Sequence, residues 1–464
     1  MKRNLVLGSA RELGTVGLVA GLSGAYAGAL LTCSSMLSAI SKDTGGSVNL
    51  LLTVVSVVFI GMALYVAAVV ISAGVTTVIA GRLQHIATLR LLGAKSADLR
   101  RSVAGSTARI CLLGSVIGVV AATAAVDVVR IVLVQQGHLP DADYPWLSVG
   151  APVAAVAVTV VAAVAGWVGS RQVLKVSPAD ALAGTTGARV PGGRPGRLRI
   201  IFSMALIITG TALFALAMAL GEQGGAAGFL VAFVAACTTS TGLLAGARFV
   251  LPGIVAVLGR LTGVDAASVI ARRNAVTDPA RTTRSTLGLF VGVTLVVTIA
   301  SGASALQTAV AGWHNITTTQ RHEAHQVLTV ASTVTITVGV VSSLIAAIGF
   351  VSTMSLTVIQ RRREIGLLRA LGFTGAQVRS MITKESMAMS AAAAASGIAL
   401  GLCYGSAGAQ ALIGNQNNGF VWGLPWLVLV AIVVGALAVI LLASQPPARR
   451  AIATSPVTAL RVDA

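Results

Sequence analysis

The sequence contains few stretches that combine residue types able to carry out chemistry, and the first to consider is a phosphate-binding loop. A P-loop has the pattern Gly-x-x-x-x-Gly-Lys-Ser/Thr, in which backbone N–H groups surround the phosphates and the lysine contacts them. The nearest string, Gly93-Ala94-Lys95-Ser96, lacks the Gly-Lys pair. We therefore predict that the chain has no catalytic residues of its own and does not hydrolyse ATP by itself.

A second group of reactive side chains lies in a short polar stretch between residues 313 and 326. It contains three histidines and a carboxylate: His314, His322, Glu323 and His325. Such a set can ligate zinc or copper, but a short polar loop also collects these residues without a metal. We expect no metal and no other cofactor on this chain. The alternative is a metal site formed by the histidines of this loop.

Charged residues inside apolar stretches are the third candidate. Asp127 and Arg130 are three residues apart, so they can pair on one face of a helix. A structural ion pair is the simpler interpretation, and a substrate site is the alternative. The apolar stretches contain no Ser/His/Asp set and no HExxH motif, which argues against an intramembrane protease.

The composition indicates that any of these residues would be held in place by membrane-spanning helices. Of the 464 residues, 55% are hydrophobic and 10% are charged, and the mean hydropathy is +0.88. Apolar runs of about eighteen or more residues recur along the chain, and each is long enough to cross a bilayer. We predict an all-α integral membrane protein with ten transmembrane helices. Their approximate bounds are 14–37, 49–80, 104–134, 148–170, 200–220, 227–251, 286–310, 327–359, 386–413 and 425–444.

The net charge of +19 is consistent with either nucleic-acid binding or membrane topology. With the N-terminus inside, the predicted inner segments hold 29 of the 33 Lys and Arg residues. They are spread over six short segments, which predicts a topology with both termini cytoplasmic and excludes a nucleic-acid surface. Frequent Ala, Val and Arg are typical of a GC-rich bacterial genome, so we place the chain in a bacterial plasma (inner) membrane.

The sequence also contains an internal repeat. Residues 89–100 align with residues 368–379 at a constant offset of 279. Residues 177–182 align with residues 455–460 at an offset of 278. The repeat predicts two four-span units in a pseudo-twofold arrangement, separated by a linker and a two-span hairpin. The predicted domains are 1–184, 185–265 and 266–464.

Each unit carries a short basic stretch between its second and third spans, which we call the first elbow (82–101) and the second elbow (361–380). Ile365, Leu368 and Leu371 recur at a spacing of three, which predicts the apolar stripe of a short surface helix. We expect the charged residues of the second elbow to face water, lipid head groups or a protein: Arg361, Arg362, Glu364 and Arg369.

Local signals predict how the second elbow ends. Gly372 is suited to the left-handed conformation that terminates a helix. Thr374 and Gln377 have the spacing of a capping box, which begins a new helix. The stretch should therefore form a helix, a tight turn and a second helix.

These residues resemble a known family. The stretch 361–372, followed by Arg379, Glu385 and a glycine-containing span, is similar to the FtsX/MacB-type permease domain of ABC transporters, and so is 450–460. Two four-span units with a central hairpin resemble the ten-span BceB-like permeases of the type VII class, which handle antimicrobial peptides. This chain lacks the large extracellular domain that such permeases carry between the first two spans of a unit.

The resemblance implies that the elbows are coupling helices. Each would fit a groove on a cytosolic ABC ATPase, present in two copies, which uses ATP and Mg²⁺. Carried over position by position, the coupling residues are Arg82, His85, Leu89, Arg90 and Gly93 in the first elbow and Arg362, Arg363, Glu364, Leu368, Arg369 and Gly372 in the second. His85 stands where the second elbow has Glu364, so we expect unequal binding, with the second elbow mattering more.

The predicted function is mechanical. Closure of the ATPases would push both elbows, and the long second and eighth spans would carry the movement across the bilayer. The cargo would be lipophilic or amphipathic, such as an antimicrobial peptide or a lipid, because the spans offer few charges to a polar solute. One alternative is regulation of a cell-wall enzyme or sensor without transport, through a small membrane or extracellular partner. The other is an ion-coupled secondary transporter.

Overall fold

The computed structural model describes residues 88–135, 150–169, 197–311 and 362–438, together with separate positions in 17–35 and 54–72. The positions left out inside those longer ranges are 90, 225–226, 264, 278, 417–418 and 436–437. Within the described ranges the chain is helical and contains no strand. The helices are α1 (Ser96–Gln135), α2 (Gly150–Gly169), α3 (Arg197–Glu222), α4 (Ala227–Leu258), α5 (Ala266–Thr277), α6 (Pro279–Ala311), α7 (Arg362–Ala370), α8 (Gly375–Ile413) and α9 (Trp426–Gly435).

Five of the described helices are long and apolar enough to cross a membrane: Ala97–Val132, Arg197–Glu222, Ala227–Leu261, Thr286–Ala311 and Gly375–Ile413. They coincide with the third, fifth, sixth, seventh and ninth predicted spans, so the all-α, multi-pass membrane fold is confirmed. The helices α2 and α9 lie within the predicted fourth and tenth spans. The predicted eighth span lies outside the described residues, and the count of ten and the three domain bounds stay predictions.

Several helices are longer than the spans that contain them. The helices α1, α6 and α8 have 40, 33 and 39 residues. At about 1.5 Å per residue, α1 and α8 are about 60 Å long, twice the thickness of the hydrocarbon core. The helices α1, α6 and α8 therefore begin before the predicted spans at 104, 286 and 386, which corrects the expected starts of those three spans. Hydropathy marks where side chains become polar, whereas backbone hydrogen bonding continues past that point.

Glycines hold the first and third spans of each unit in close contact. A Cβ on Gly24 would lie 2.5 Å from the Ser115 carbonyl oxygen, and one on Gly28 would lie 3.0 Å from the Val119 Cα. In the second unit, a Cβ on Gly397 would lie 2.8 Å from a methyl group of Val293. In each unit the residue numbers of the contacting positions increase in the same direction on both helices. The two helices of each pair therefore run parallel. Small residues at a spacing of four allow this approach, as in other membrane helices.

The central stretch forms an antiparallel helical hairpin of α3 and α4. The Ser203 hydroxyl donates to the Gly242 carbonyl oxygen at 2.8 Å across the hairpin, and Gly224 in the connecting turn has a φ of +82°. The hairpin packs against α8, where the rings of Phe214 and Tyr404 stack with centroids 5.3 Å apart. The hairpin and the second unit therefore share one packed core.

Candidate functional site

The second elbow consists of α7, a tight turn and the start of α8. The turn is a Schellman motif, in which the Gly372 N–H donates to the Arg369 oxygen at 3.1 Å and the Phe373 N–H donates to the Leu368 oxygen at 3.0 Å. Gly372 has a φ of +100°. The helix–turn–helix expected from the sequence is therefore present, and its glycine occupies the left-handed region.

A capping box begins the next helix. The Gln377 N–H donates to the Thr374 hydroxyl at 3.2 Å, and the Thr374 N–H donates to the Gln377 side-chain oxygen at 2.8 Å. This confirms the predicted capping box. Because the last turn of α7 and the first turn of α8 share this short connection, the elbow is attached rigidly to the long helix that follows.

The first elbow has the same turn. Gly93 has a φ of +92°, and the Ala94 N–H donates to the Leu89 oxygen at 3.0 Å. These positions correspond to Gly372, Phe373 and Leu368 in the second elbow. Lys95 stands in the place of Thr374, and its carbonyl oxygen accepts from the Leu99 N–H at 3.1 Å. The backbone of the turn is thus shared, although the residues around the glycine differ.

The inner face of α7 belongs to an apolar cluster with residues of two other helices. Ile365 is buried, and with Leu368 and Phe373 it forms a cluster with residues of α5 and the first turns of α8. The partners in this cluster are Ala267, Ile270, Ala271, Val378, Met381 and Ile382. The helix α5 therefore contributes to the cluster that holds α7 against α8, a role that the sequence did not indicate.

Leu371 lies one residue beyond α7, so its expected place in the apolar stripe of that helix is wrong. Its side chain is 73% exposed, and Leu92 at the equivalent position of the first elbow is 80% exposed. The helix α7 ends at Ala370, and the turn that follows points Leu371 away from the core. The sequence does contain a signal for this pair, because both copies have a leucine directly before the left-handed glycine.

The remaining predicted coupling residues are described to different extents. Glu364 is exposed and Arg369 is half-buried on α7. Arg362 and Arg363 begin α7, and their side chains are not described. The predicted residues that lie outside the described part of the chain are Arg82, His85, Arg90, Arg361 and the histidines His314, His322 and His325. The described residues contain no group of three side chains able to ligate a metal ion.

Polar contacts fix α5 against α8 beside the second elbow. Lys384 forms an ion pair with Asp265 and donates to the Ser268 hydroxyl at 2.9 Å. Ser268 in turn donates to the Asp265 carboxylate at 2.5 Å. The hydrogen bond from Lys384, and next the one from Ser268, lower the pKa of Asp265 below its usual range. The carboxylate is therefore charged at neutral pH and keeps both contacts.

The predicted pair in the third span is formed. The Arg130 guanidinium lies 3.4 Å from the Asp127 carboxylate, and both side chains are largely buried on α1. The geometry agrees with the structural interpretation of this pair, since an arginine three residues after an aspartate neutralises it within the same helix.

Alanine at Gly372 should loosen the second elbow through backbone strain alone. No described atom lies within 4 Å of the position that a Cβ would take, so the cost is conformational and is about 1–2 kcal/mol. We expect amide hydrogen exchange in residues 362–374 to accelerate about five- to thirtyfold. Gly93→Ala should have the same effect on the first elbow.

Gly105→Ala in α1 is the matched control, because that glycine is equally uncrowded and has no positive φ. Exchange in α1 should be unchanged or slower, since alanine favours a helix over glycine by about 1 kcal/mol. Equal acceleration in the Gly105 and Gly372 variants would contradict the assigned strain.

Comparison with known proteins agrees with this arrangement. The sequence model of the FtsX-like permease C-terminal family matches residues 57–178 and 336–456, which together are just over half of the chain. The chain belongs to the FtsX-like permease family. The two matches begin 279 residues apart, which is the offset between the two elbows. The family resemblance deduced from the second elbow is thereby confirmed.

A curated relative of this FtsX-like permease is the ABC transporter permease YtrF of Bacillus subtilis (strain 168). The two are 33% identical over 138 residues, which cover 27% of this chain and 31% of YtrF. The aligned region therefore spans about a third of that relative.

Proposed function

We propose that this FtsX-like permease is the membrane subunit of an ABC transporter and that its two elbows receive the movement of a separate cytosolic ATPase. The observation that carries the proposal is the repeated turn. In both copies an exposed leucine precedes a left-handed glycine, Leu92-Gly93 and Leu371-Gly372. Two similar projections, one on each copy of a duplicated unit, fit a partner that is itself present in two copies.

The exposed leucines support docking onto a protein. Burying one leucine side chain stabilises an interface by about 1.5–3 kcal/mol. Leu367 is also largely exposed and lies one turn before Leu371, so the tip of the second elbow is apolar. Glu364 and Arg369 lie on the same short helix and would form the polar rim that surrounds an apolar contact.

Transmission would follow from the covalent continuity of the elbow with α8. The helix has 39 residues, or about 58 Å, and runs parallel to α6 along a line of glycines. A push on α7 would move α8 as a rigid lever, because packed helices shift as units. The first elbow would act on α1 in the same way. In this proposal the predicted second and eighth spans also carry the movement across the bilayer.

The cargo would be lipophilic or amphipathic, such as a lipid or an antimicrobial peptide, exported through the bilayer or extracted from it. Among the described membrane helices the charged pair Asp127–Arg130 neutralises itself, and the surfaces are otherwise mainly apolar. In this proposal the membrane is the bacterial inner membrane, both termini are cytoplasmic, and ATP and Mg²⁺ are used by two copies of the partner ATPase.

The test is the rate of ATP hydrolysis by a candidate P-loop ATPase that is reconstituted with this chain in proteoliposomes. We expect the double variant Glu364→Ala, Arg369→Ala to change turnover severalfold. Glu222→Ala is the control, because this exposed carboxylate lies at the hairpin turn, far along the chain from either elbow. Turnover that is the same with and without the wild-type chain would refute the proposal.

A further inference from the structure

The connection between α8 and α9 exposes a group of large apolar side chains. Residues 419–425 are not helical, and with the first turn of α9 they form a stretch that we call the aromatic segment (419–427). The rings of Phe420 and Trp422 meet edge to face with centroids 5.0 Å apart. The exposed apolar side chains of the segment are Phe420, Trp422, Leu424, Trp426 and Leu427. A patch of this kind marks a contact with a membrane or a protein.

The backbone of the aromatic segment is fixed between α6 and α8 at Gly423. The Ser301 hydroxyl donates to the Gly423 oxygen at 2.8 Å, and the Gly423 N–H donates to the Ser406 hydroxyl at 3.1 Å. Both serines are fully buried, and a Cβ on Gly423 would collide with the Ser301 carbonyl oxygen. The position of the aromatic segment along α6 and α8 is therefore set by the level of these two serines.

The charged residues nearest to those serines give the depth of that level in the membrane. Ser406 follows Lys384 by 22 residues, which is about 33 Å along α8. Ser301 follows Arg284 by 17 residues, which is about 26 Å along α6. The hydrocarbon core of a bilayer is about 30 Å thick. If Lys384 and Arg284 mark one boundary of the core, the aromatic segment lies at the other.

The residues beyond the two serines agree with this level. The helix α6 continues to Ala311 and α8 continues to Ile413, so about 15 Å and 10 Å of helix extend past Ser301 and Ser406. These ends carry uncharged polar residues, which are Ser304, Gln307, Thr308, Gln410 and, just after α8, Asn415 and Gln416. The change from apolar to polar residues therefore occurs at the height of the aromatic segment.

We propose that the aromatic segment binds phospholipid at the boundary between head groups and acyl chains, on the membrane face opposite the second elbow. Tryptophan favours this boundary, because its ring is apolar and its N–H is polar. The exposed apolar surface continues onto α9 through Leu427, Val430 and Val434. Since α9 lies within a predicted span, the lipid that covers its exposed face also covers the segment. Residues 386–448 include no Asp, Glu, Lys or Arg, so the surface fits neutral lipid regions.

The first unit repeats part of this sequence. Pro145-Trp146-Leu147 aligns with Pro425-Trp426-Leu427 at an offset of 280, although residues 145–147 lie outside the described part of the chain. A tryptophan at the same place in both copies fits a lipid contact made by each unit. The proposal goes beyond the coupling function and does not involve the ATPase, so failure of one leaves the other standing.

The test is quenching of tryptophan fluorescence in the full chain, reconstituted without ATPase in phosphatidylcholine vesicles. Two variants each retain one of the five tryptophans, Trp422 or Trp426, and carry Phe in place of the other four. The acyl chains carry bromine either close to the glycerol or near the end of the chain. The shallow bromines should quench both tryptophans at least about twofold more than the deep ones do. Acrylamide in the water should quench them weakly.

Phe214→Trp, with all five native tryptophans replaced by Phe, is the control, because Phe214 is buried and stacks on Tyr404. Either bromolipid should quench this tryptophan less than the shallow bromines quench Trp422 and Trp426. Quenching of all three at the same low level would mean that protein, such as a second copy of this chain, covers the aromatic segment, and would overturn the proposal. Stronger quenching by deep bromines or by acrylamide would overturn it too, because the rings would then lie in the acyl core or in water.

Discussion

Leu371→Asp should weaken binding of the partner ATPase about tenfold to a hundredfold and remove most of the permease-dependent ATP turnover. The leucine is 73% exposed, so its replacement should change the stability of the permease by no more than about 0.5 kcal/mol. An interface that buries this side chain would lose about 1.5–3 kcal/mol and would also have to desolvate a carboxylate. Co-purification of the ATPase and ATP turnover in proteoliposomes measure the effect.

Leu261→Asp is the matched control, because Leu261 is 82% exposed and lies outside both elbows. It should leave ATPase binding unchanged. Leu92→Asp in the first elbow should weaken binding less than Leu371→Asp, as expected from the difference between His85 and Glu364. An equal loss in the Leu261 and Leu371 variants would mean that any charge on this surface disturbs the complex, and the docking role of the turn would be wrong.

Gly401→Ala should destabilise the second unit by about 1–3 kcal/mol, and Gly401→Leu should prevent stable assembly. A Cβ on Gly401 would lie 2.5 Å from the Cβ of Val297 and 2.9 Å from the Thr294 oxygen. Protein interiors are closely packed, so α6 and α8 would have to separate along their contact. The midpoint of thermal unfolding in detergent, followed by size-exclusion chromatography, measures the change.

Gly408→Ala on the same helix provides the comparison. Its Cβ would meet only Phe229, at 3.8 Å, which is ordinary van der Waals contact. The variant should be as stable as the wild type or more stable by up to about 1 kcal/mol, since alanine is the better helix former. If the Gly401 and Gly408 variants were equally destabilised, helix flexibility rather than close packing would explain both.

The features that the sequence predicted correctly in the second elbow depend on residues close together in the chain. The left-handed glycines, the capping box and the short helix of the second elbow each depend on residues within five positions of one another. Leu371 was misplaced because a spacing of three continues through the sequence, whereas the helix stops at Ala370. Periodicity alone does not show where a turn interrupts it.

Contacts between distant parts of the chain were missed. Asp265 and Lys384 are 119 residues apart, and Tyr65 and Thr241 are 176 apart. Neither the composition nor the repeat indicates that these residues are in contact, because an apolar membrane segment can pack against many others. The ion pair between Asp265 and Lys384 and the cluster shared by α5, α7 and α8 therefore required the packed structure.

By itself, the amino-acid sequence determined that this chain spans a membrane, is duplicated and belongs with the FtsX-like permeases. Hydropathy, the offset of 279 and a few turn residues are sufficient for that, because each is read within one segment or by comparing two copies. Only the tertiary structure decided which leucines of the elbows are exposed and which glycines hold parallel helices together. Those properties depend on the distances between helices, which are set by side-chain packing across the whole bundle.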